Sequence, residues 1–245
     1  MSKSYTNGII AFLDILGFSN YIEKTKEIDE IQVFFNFVEK ICYLYNTSDI
    51  HNIKIAFFSD SFVLTTNEKT KDSLSSIFFA CHMINIQLYE ATKLFTRGAI
   101  CSGDYYHQNN ITFGPGIIKA YREQESNAKF IRLIVERSLV HMIELPISSF
   151  IESDEEYVYY CNYFLLETFE RITSASKGNI DNLNFELAKP ILRKNRQIIN
   201  DNLAIYRDTN VYEKYEWLIT PFNSCCKHFA SFNNSDEEFL NLQIL

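Results

Sequence analysis

Two lone aspartates at the ends of apolar runs are the residues of this sequence best suited to chemistry. Asp14 closes the run Ile9–Leu13 just before a turn at Gly17, and Asp60 follows the run Ile53–Phe58. Mg²⁺ and Mn²⁺ prefer oxygen ligands and are usually held by one or two carboxylates together with substrate phosphates. If the two runs are neighbouring strands, the two aspartates can hold divalent ions between them. The pattern therefore predicts a two-metal nucleotide site.

Two further features suit the phosphates of a nucleotide. The residues Ile15 to Phe18 lead from the first strand into a helix, so their backbone N–H groups can bind phosphate with the helix dipole behind them. Arg97 lies within an apolar strand-like run, where a guanidinium needs an anionic partner or an exposed face. The alternatives without chemistry are turn or capping roles for the aspartates and an exposed edge-strand position for Arg97.

Hydrophobic periodicity predicts the elements that must position these residues. The predicted strands are Tyr5–Asp14, Ile53–Phe58, Ser61–Thr65, Leu94–Gly103, Ile111–Phe113 and Phe130–Val135. The predicted helices are Phe18–Tyr45, Asp72–Phe95 and a shorter one that begins at Gly114–Gly116, with Pro115 in its first turn. The order β-α-β-β-α-β-β-α-β predicts an α+β, ferredoxin-like core, with an antiparallel-rich sheet and helices packed on one face.

The chain changes character after about residue 150. We expect a catalytic domain over residues 1–150 and a mostly helical C-terminal extension over residues 151–245. Glycine and proline number only 7 and 4, so no stretch reads as a flexible linker between them.

The composition argues against several classes of function. Hydrophobic residues make up 47% of the chain and aromatic residues 15%, which favours a packed core over disorder. The formal net charge of −8 argues against nucleic acid or an anionic membrane as a partner. No apolar run approaches the roughly 18 residues of a membrane span. The six cysteines form no C-x-x-C pair and nothing resembles a signal peptide, so we expect reduced thiols in a cytoplasmic protein.

Four short segments, taken in order, resemble the motifs of class III nucleotidyl cyclases. They are Phe12–Ser19, Phe58–Phe62, Arg97–Gly103, and Phe113–Gly114 followed by Ala120–Arg122. The resemblance covers roughly residues 8 to 136. It implies the class III cyclase fold for the ferredoxin-like core.

The resemblance also implies the roles of individual residues. Two Mn²⁺ or Mg²⁺ ions per active site would be held by Asp14, Asp60 and the backbone carbonyl of Ile15. Arg97 would bind the triphosphate, and Arg122 would join the two aspartates as a catalytic residue.

Further positions would contact the nucleotide, namely Phe18, Phe57 and Ile111, with Ala56 and Phe58 as other base-facing candidates. In this family the base and transition-state groups come from the partner chain of a head-to-tail homodimer. The resemblance therefore implies a homodimer with two equivalent interface sites.

The base-reading positions depart from the pattern of adenylyl cyclases. Ala56 stands where those enzymes carry lysine, Ile111 where they carry aspartate, and Ile118 where they carry the transition-state asparagine. The segment Phe113–Tyr121 is more similar to the bacterial Pycsar cyclases, which make cyclic pyrimidine nucleotides in defence against phage.

The resemblance thus implies conversion of UTP or CTP to 3′,5′-cyclic UMP or CMP plus pyrophosphate, with uridylate cyclase favoured. The alternatives are an adenylate or guanylate cyclase, and a catalytically inactive cyclase-like domain that binds a nucleotide.

Overall fold

The computed structural model of this chain comprises two units, Met1–Tyr160 and Cys161–Leu245. It describes residues 4–25, 27–47, 52–108, 111–145, 147–156, 158–178, 183–209, 211–232 and 236–245. The strands are β1 (Thr6–Ile15), β2 (Ile53–Phe58), β3 (Ser61–Thr66), β4 (Thr96–Gln108), β5 (Ile111–Phe113), β6 (Leu133–Val135), β7 (Ile151–Ser153) and β8 (Tyr159–Cys161). The α-helices are α1 (Phe18–Lys24), α2 (Ile28–Thr47), α3 (Lys71–Thr92), α4 (Pro115–Asn127), α5 (Tyr163–Ala175), α6 (Ala188–Ile205), α7 (Tyr212–Glu216), α8 (Ile219–Phe232) and α9 (Glu237–Leu240).

One sheet carries the candidate site residues. Its strand order is β2-β3-β1-β4-β6-β8-β7, with β5 paired to β4. The pairs β2–β3, β3–β1 and β1–β4 are antiparallel, whereas β6 joins β4 in parallel. The first four strands have the order of a ferredoxin-like core, so the predicted α+β fold is confirmed. Strands β7 and β8 extend this sheet beyond residue 150, and the division between the units falls after Tyr160.

Alternation along β1 separates the two faces of the sheet. Side chains of a strand point to opposite faces in turn, so Phe12 and Asp14 share one face, called here the Asp14 face. Tyr121 of α4 packs on Phe12, with ring centroids 5.4 Å apart. On the opposite face, Phe37 of α2 packs on Phe62, with ring centroids 6.0 Å apart. The expectation that all helices pack on one face is therefore wrong for α4.

The predicted helix from Phe18 to Tyr45 is in fact two helices, α1 and α2. Thr25 ends α1 with an extended backbone (φ −73°, ψ 106°). Its hydroxyl donates a hydrogen bond to the carbonyl of Tyr21 (2.7 Å), which satisfies a helix C-terminal acceptor. Periodicity missed this break because the apolar spacing continues across it.

The second unit is helical, as expected for the C-terminal extension. Asn162 caps α5 by accepting hydrogen bonds from the N–H groups of Phe164 and Leu165. The largely buried Lys189 of α6 pairs with the carboxylates of Glu186, Asp236 and Glu238. In the described part of the chain, no helix is both long enough and apolar enough to cross a bilayer.

Two glycines allow α4 to approach the sheet closely. A Cβ atom added at Gly103 of β4 would lie 2.7 Å from the Cα of Gly116. A Cβ added at Gly116 would lie 2.9 Å from the carbonyl carbon of Gly103 and 2.4 Å from Cδ1 of Ile10. Neither contact can be relieved by rotating a side chain alone, because backbone atoms lie on both sides.

We expect the substitution Gly116→Ala to lower the free energy of unfolding by about 1–3 kcal/mol, since overpacking forces the helix away from the strand. Chemical denaturation of the full chain would measure this change. Glu125→Ala, at an exposed position of the same helix, is the control and should stay within about 0.5 kcal/mol of wild type. Equal stability of the Gly116→Ala variant and the wild type would contradict the close packing.

Candidate functional site

Asp14 lies near the end of β1, between two neighbouring strands. It pairs with Ser61 of β3 on one side and with Arg97 of β4 on the other. Its side chain is 19% exposed, so it is shielded by the sheet but still open to small ions. The strand thus delivers a carboxylate to the sheet surface, as the sequence predicts.

Asp60 lies beside this strand end because the β2–β3 hairpin turns there. The N–H of Ile15 donates a hydrogen bond to the carbonyl oxygen of Asp60 (2.8 Å). The hydroxyl of Ser61 approaches Oδ1 of Asp60 at 3.3 Å. The main chains that carry the two aspartates are therefore adjacent, and the predicted hairpin with Ser59 and Asp60 at its tip is confirmed.

Arg97 contacts Asp14 directly. Its Nε donates a hydrogen bond to Oδ2 of Asp14 (2.7 Å), and Nη1 lies 3.5 Å from the carbonyl oxygen of Ala128 at the end of α4. The two residues are direct cross-strand neighbours, and opposite charges at such positions attract. The sequence predicts an anionic partner for Arg97, and within the chain that partner is one of the two candidate metal ligands.

The predicted phosphate-binding turn is only partly available. The N–H of Ile15 is used by Asp60, and the N–H of Leu16 donates to the carbonyl oxygen of Phe95 (2.9 Å). The chain then turns at Gly17, whose φ of 77° lies in the left-handed region that glycine favours. The N–H groups of Gly17 and Phe18 remain as the candidates for a phosphate.

Two of the predicted nucleotide contacts, Phe18 and Phe57, belong to an aromatic cluster. Phe34 of α2 links them, with ring centroids 5.1 Å from Phe18 and 5.8 Å from Phe57. Phe57 also packs on Phe62 at 4.7 Å, its partner in the β2–β3 register. Because Phe62 pairs with Leu13, Phe57 points to the face opposite Asp14. Ala56 and Phe58, one position to either side of Phe57, point to the Asp14 face.

Ile111 lies far along the sheet from Asp14. It pairs with Gln108 at the end of β4, whereas Asp14 pairs with Arg97 at the start of that strand. Eleven steps at about 3.4 Å per residue put these positions roughly 35 Å apart. Arg122 lies exposed on α4. Ile111 therefore cannot line the Asp14 site of its own chain.

A second polar network holds α4 against the sheet, and the sequence did not point to it. Glu136, which follows β6, pairs with Lys119 (2.7 Å) and accepts hydrogen bonds from Ser138 and the N–H of Ser102. Burial alone would raise the pKa of Glu136, but these hydrogen bonds and the Lys119 charge keep it below its usual value. Nearby, burial raises the pKa of Cys101 to about 12, so its thiol stays protonated and is unsuited to nucleophilic attack.

The carboxylates of Asp14 and Asp60 and the carbonyl of Ile15 are donors of the type that a hard divalent cation prefers. Among the residues the structure describes, no group of three or more His, Cys, Asp or Glu side chains converges, which argues against a closed zinc-type site there. Two carboxylates and a backbone carbonyl are instead the kind of partial shell that Mg²⁺ or Mn²⁺ completes with water and phosphate oxygens. The guanidinium on Asp14 shows that this carboxylate is already placed to receive positive charge.

Comparison with known proteins assigns the fold. Neither protein-family profiles nor curated protein sequences match this chain. Among solved structures it is similar to the adenylyl cyclase CyaB from P. aeruginosa, with a TM-score of 0.51, 11% identity, and coverage of 66% of this chain and 96% of that one. It is also similar to the dimeric guanylyl cyclase domain of the RhoGC fusion protein from the aquatic fungus Blastocladiella emersonii, with a TM-score of 0.50, 14% identity, and coverage of 65% and 98%.

The chain thus has the class III cyclase fold with additional C-terminal helices. The covered share is close to the share of the chain that the first unit makes up. At such low identity the similarity establishes the fold, and the chemistry must be argued from this chain's own residues.

The backbone conformation of Ser59, at the hairpin tip, can be tested by substitution. Ser59 has a φ of 57°, a conformation that costs a residue with a Cβ about 1–2 kcal/mol. The substitution Ser59→Gly should relieve this cost and, after the larger unfolded-state entropy of glycine is subtracted, raise the free energy of unfolding by about 0.5–1 kcal/mol. Urea denaturation would measure it. Ser59→Ala, which keeps the Cβ, should bring no gain, and a stabilised alanine variant would contradict the backbone argument.

Proposed function

We propose that this protein is a nucleotidyl cyclase, a phosphorus–oxygen lyase that converts a pyrimidine nucleoside triphosphate to its 3′,5′-cyclic monophosphate. The observation that carries the proposal is the adjacency of Asp14 and Asp60 on a class III cyclase fold, joined through the hydrogen bond from Ile15 to Asp60. Two carboxylates at one strand end suit a site that holds divalent ions together with the phosphates of a nucleotide.

In the proposed reaction the ribose 3′-oxygen attacks the α-phosphorus. A new O3′–P bond forms, the bond from the α-phosphorus to the bridging oxygen breaks, and the 3′ proton passes to solvent as pyrophosphate leaves. Asp14, Asp60 and the carbonyl of Ile15 would hold two Mn²⁺ or Mg²⁺ ions. When bound, such ions lower the pKa of the attacking hydroxyl and neutralise charge on the leaving group. Arg97 would bind the β- or γ-phosphate.

The base-reading positions lack the polar pair of adenylyl cyclases, which is the reason for proposing a substrate other than ATP. Ala56 lies on the Asp14 face of β2, where it offers no hydrogen bond to a purine, and Ile111 is likewise apolar and 61% exposed. Lys54 shares that face, but its ammonium donates to the carbonyl of Asn46 (3.1 Å). We propose UTP as the preferred substrate over CTP, and the cyclic product as a second messenger of anti-phage defence.

A homodimer would bring the separated halves of the site together. Ile111 lies too far from Asp14 to serve the same chain, and a two-fold head-to-tail arrangement would place it at the partner's site. The surface beside the site exposes apolar side chains suited to such contact: Phe58 is 82% exposed, Ile118 52% and Tyr121 44%. In this arrangement Arg122 would act at the partner's site.

The central test is incubation of the full chain with each of the four nucleoside triphosphates and Mn²⁺, followed by mass spectrometry of the products. We expect cyclic UMP, and the substitutions Asp14→Asn and Asp60→Asn should each lower its rate about a thousandfold, because the metal carboxylates are lost. Asp201→Asn, at an exposed position of α6 in the second unit, is the control and should keep wild-type activity.

Three outcomes would contradict parts of this proposal. A purine cyclic product would replace the substrate with ATP or GTP. Near-normal turnover by the Asp14→Asn or Asp60→Asn variant would remove the metal assignment. Nucleotide binding without any cyclic product would favour the inactive nucleotide-binding domain.

The assembly can be tested by mixing two inactive variants. Asp14→Asn and Arg122→Ala should each be nearly inactive alone. In a mixed dimer one site carries both substitutions and the other carries neither, so random 1:1 exchange should restore about a quarter of the wild-type activity. Mixing Asp14→Asn with Asp60→Asn is the control and should restore nothing, because both aspartates belong to the same chain's half of the site. No recovery in the first mixture would contradict the shared site.

A further inference from the structure

We infer that Arg97 acts as a stand-in cation, which neutralises Asp14 in the ligand-free chain and leaves it when a divalent metal binds. This inference rests on the proposed function and deepens it. It states that metal binding at Asp14 and triphosphate binding at Arg97 are coupled through this one ion pair, so that each strengthens the other.

The first step of the argument is competition for one carboxylate. Nε of Arg97 lies 2.7 Å from Oδ2 of Asp14. A metal ion bound to the same oxygen would lie about 2.1 Å from it, in the space that the guanidinium now occupies. The two cations would lie within a few ångströms of each other in a partly shielded site, where like charges repel strongly. A metal that binds Oδ2 of Asp14 therefore requires Arg97 to move away.

The second step is that Arg97 is held lightly enough to move. Among the described contacts it has only the single bond from Nε to Asp14 and a long approach of Nη1 to the Ala128 carbonyl at 3.5 Å. Its side chain is 24% exposed, so water can replace both contacts. A guanidinium carries five N–H donors, and most of those on Arg97 are left for another anion.

Arg132 shows what a structural arginine looks like in the same unit. Its side chain is 4% exposed. Nη1 donates to Asp154 at 2.6 Å, while Nε and Nη2 donate to the Asn127 carbonyl at 3.2 and 2.6 Å. Its guanidinium is thus buried, and each of its three nitrogens donates a hydrogen bond. Arg97 differs in every one of these respects, which fits a residue that changes partner rather than one that only braces the fold.

The third step is the destination of the released guanidinium. A triphosphate held at Asp14 through metal ions brings phosphate oxygens to the same strand end, and guanidinium binds phosphate in a bidentate manner. The phosphate groups of the nucleotide then replace the Asp14 carboxylate as the anionic partner of Arg97. By linkage, whatever draws Arg97 from Asp14 raises metal affinity, and metal at Asp14 raises triphosphate affinity.

The test measures metal binding without turnover. Isothermal titration of the nucleotide-free full chain with Mn²⁺ should give about tenfold or tighter affinity for Arg97→Gln and Arg97→Ala than for wild type, because the competing cation is gone. The glutamine variant retains a side chain of similar length in case the alanine variant is unstable. Lys71→Ala is the matched control: it removes one positive charge from an exposed ion pair elsewhere and should leave the affinity unchanged.

A second readout follows Arg97 itself. In ¹⁵N NMR, the Nε–H signal of Arg97 can be assigned because it is absent from the Arg97→Gln variant. In the wild type this Nε–H should be protected from exchange with solvent, and it should lose that protection when Mg²⁺ is added. Unchanged or weaker Mn²⁺ binding by both Arg97 variants, while Asp14→Asn abolishes it, would overturn the exchange and leave the proposed cyclase intact. Wild-type Mn²⁺ binding by Asp14→Asn would instead overturn the metal site and the proposed function with it.

Discussion

The antiparallel pairing of β1 with β3 and β4 is the constraint on which the rest of the site depends. It places Asp14 opposite Ser61 on one side and opposite Arg97 on the other. The hairpin tip then brings Asp60 to the end of β1, where the N–H of Ile15 binds its carbonyl. Since a slip of one residue would turn every side chain to the other face, this register decides whether the two aspartates and the arginine meet at all.

The same sheet separates structural from chemical roles by its two faces. The face opposite Asp14 is filled by α2 and α3, and there the rings of Phe34, Phe57 and Phe62 form a continuous cluster. On the Asp14 face, α4 packs over β1 and β4, where Gly103 and Gly116 permit close contact. Beside α4, the ion pair of Asp14 and Arg97 lies partly exposed at the surface of the sheet.

The distance between Asp14 and Ile111 is a second constraint, because it prevents both residues from contacting one nucleotide within a single chain. Strand β4 is long, and it carries Arg97 at one end and the partner of Ile111 at the other. Under the proposed function, one chain would present two half-sites at opposite ends of this strand. A two-fold head-to-tail pairing of chains would bring the two halves of each proposed site together.

The sequence by itself determined the order of the strands and helices, the hairpin at Asp60 and the position of Asp14 near the end of β1. Local apolar patterns and turn residues encode these features, so they can be read without the fold. Only the tertiary structure decided that Arg97 binds Asp14, that Phe57 faces away from it and that α4 packs on the Asp14 face. These depend on strand register and on contacts between residues distant in the chain, such as Gly103 and Gly116, and no local pattern encodes them.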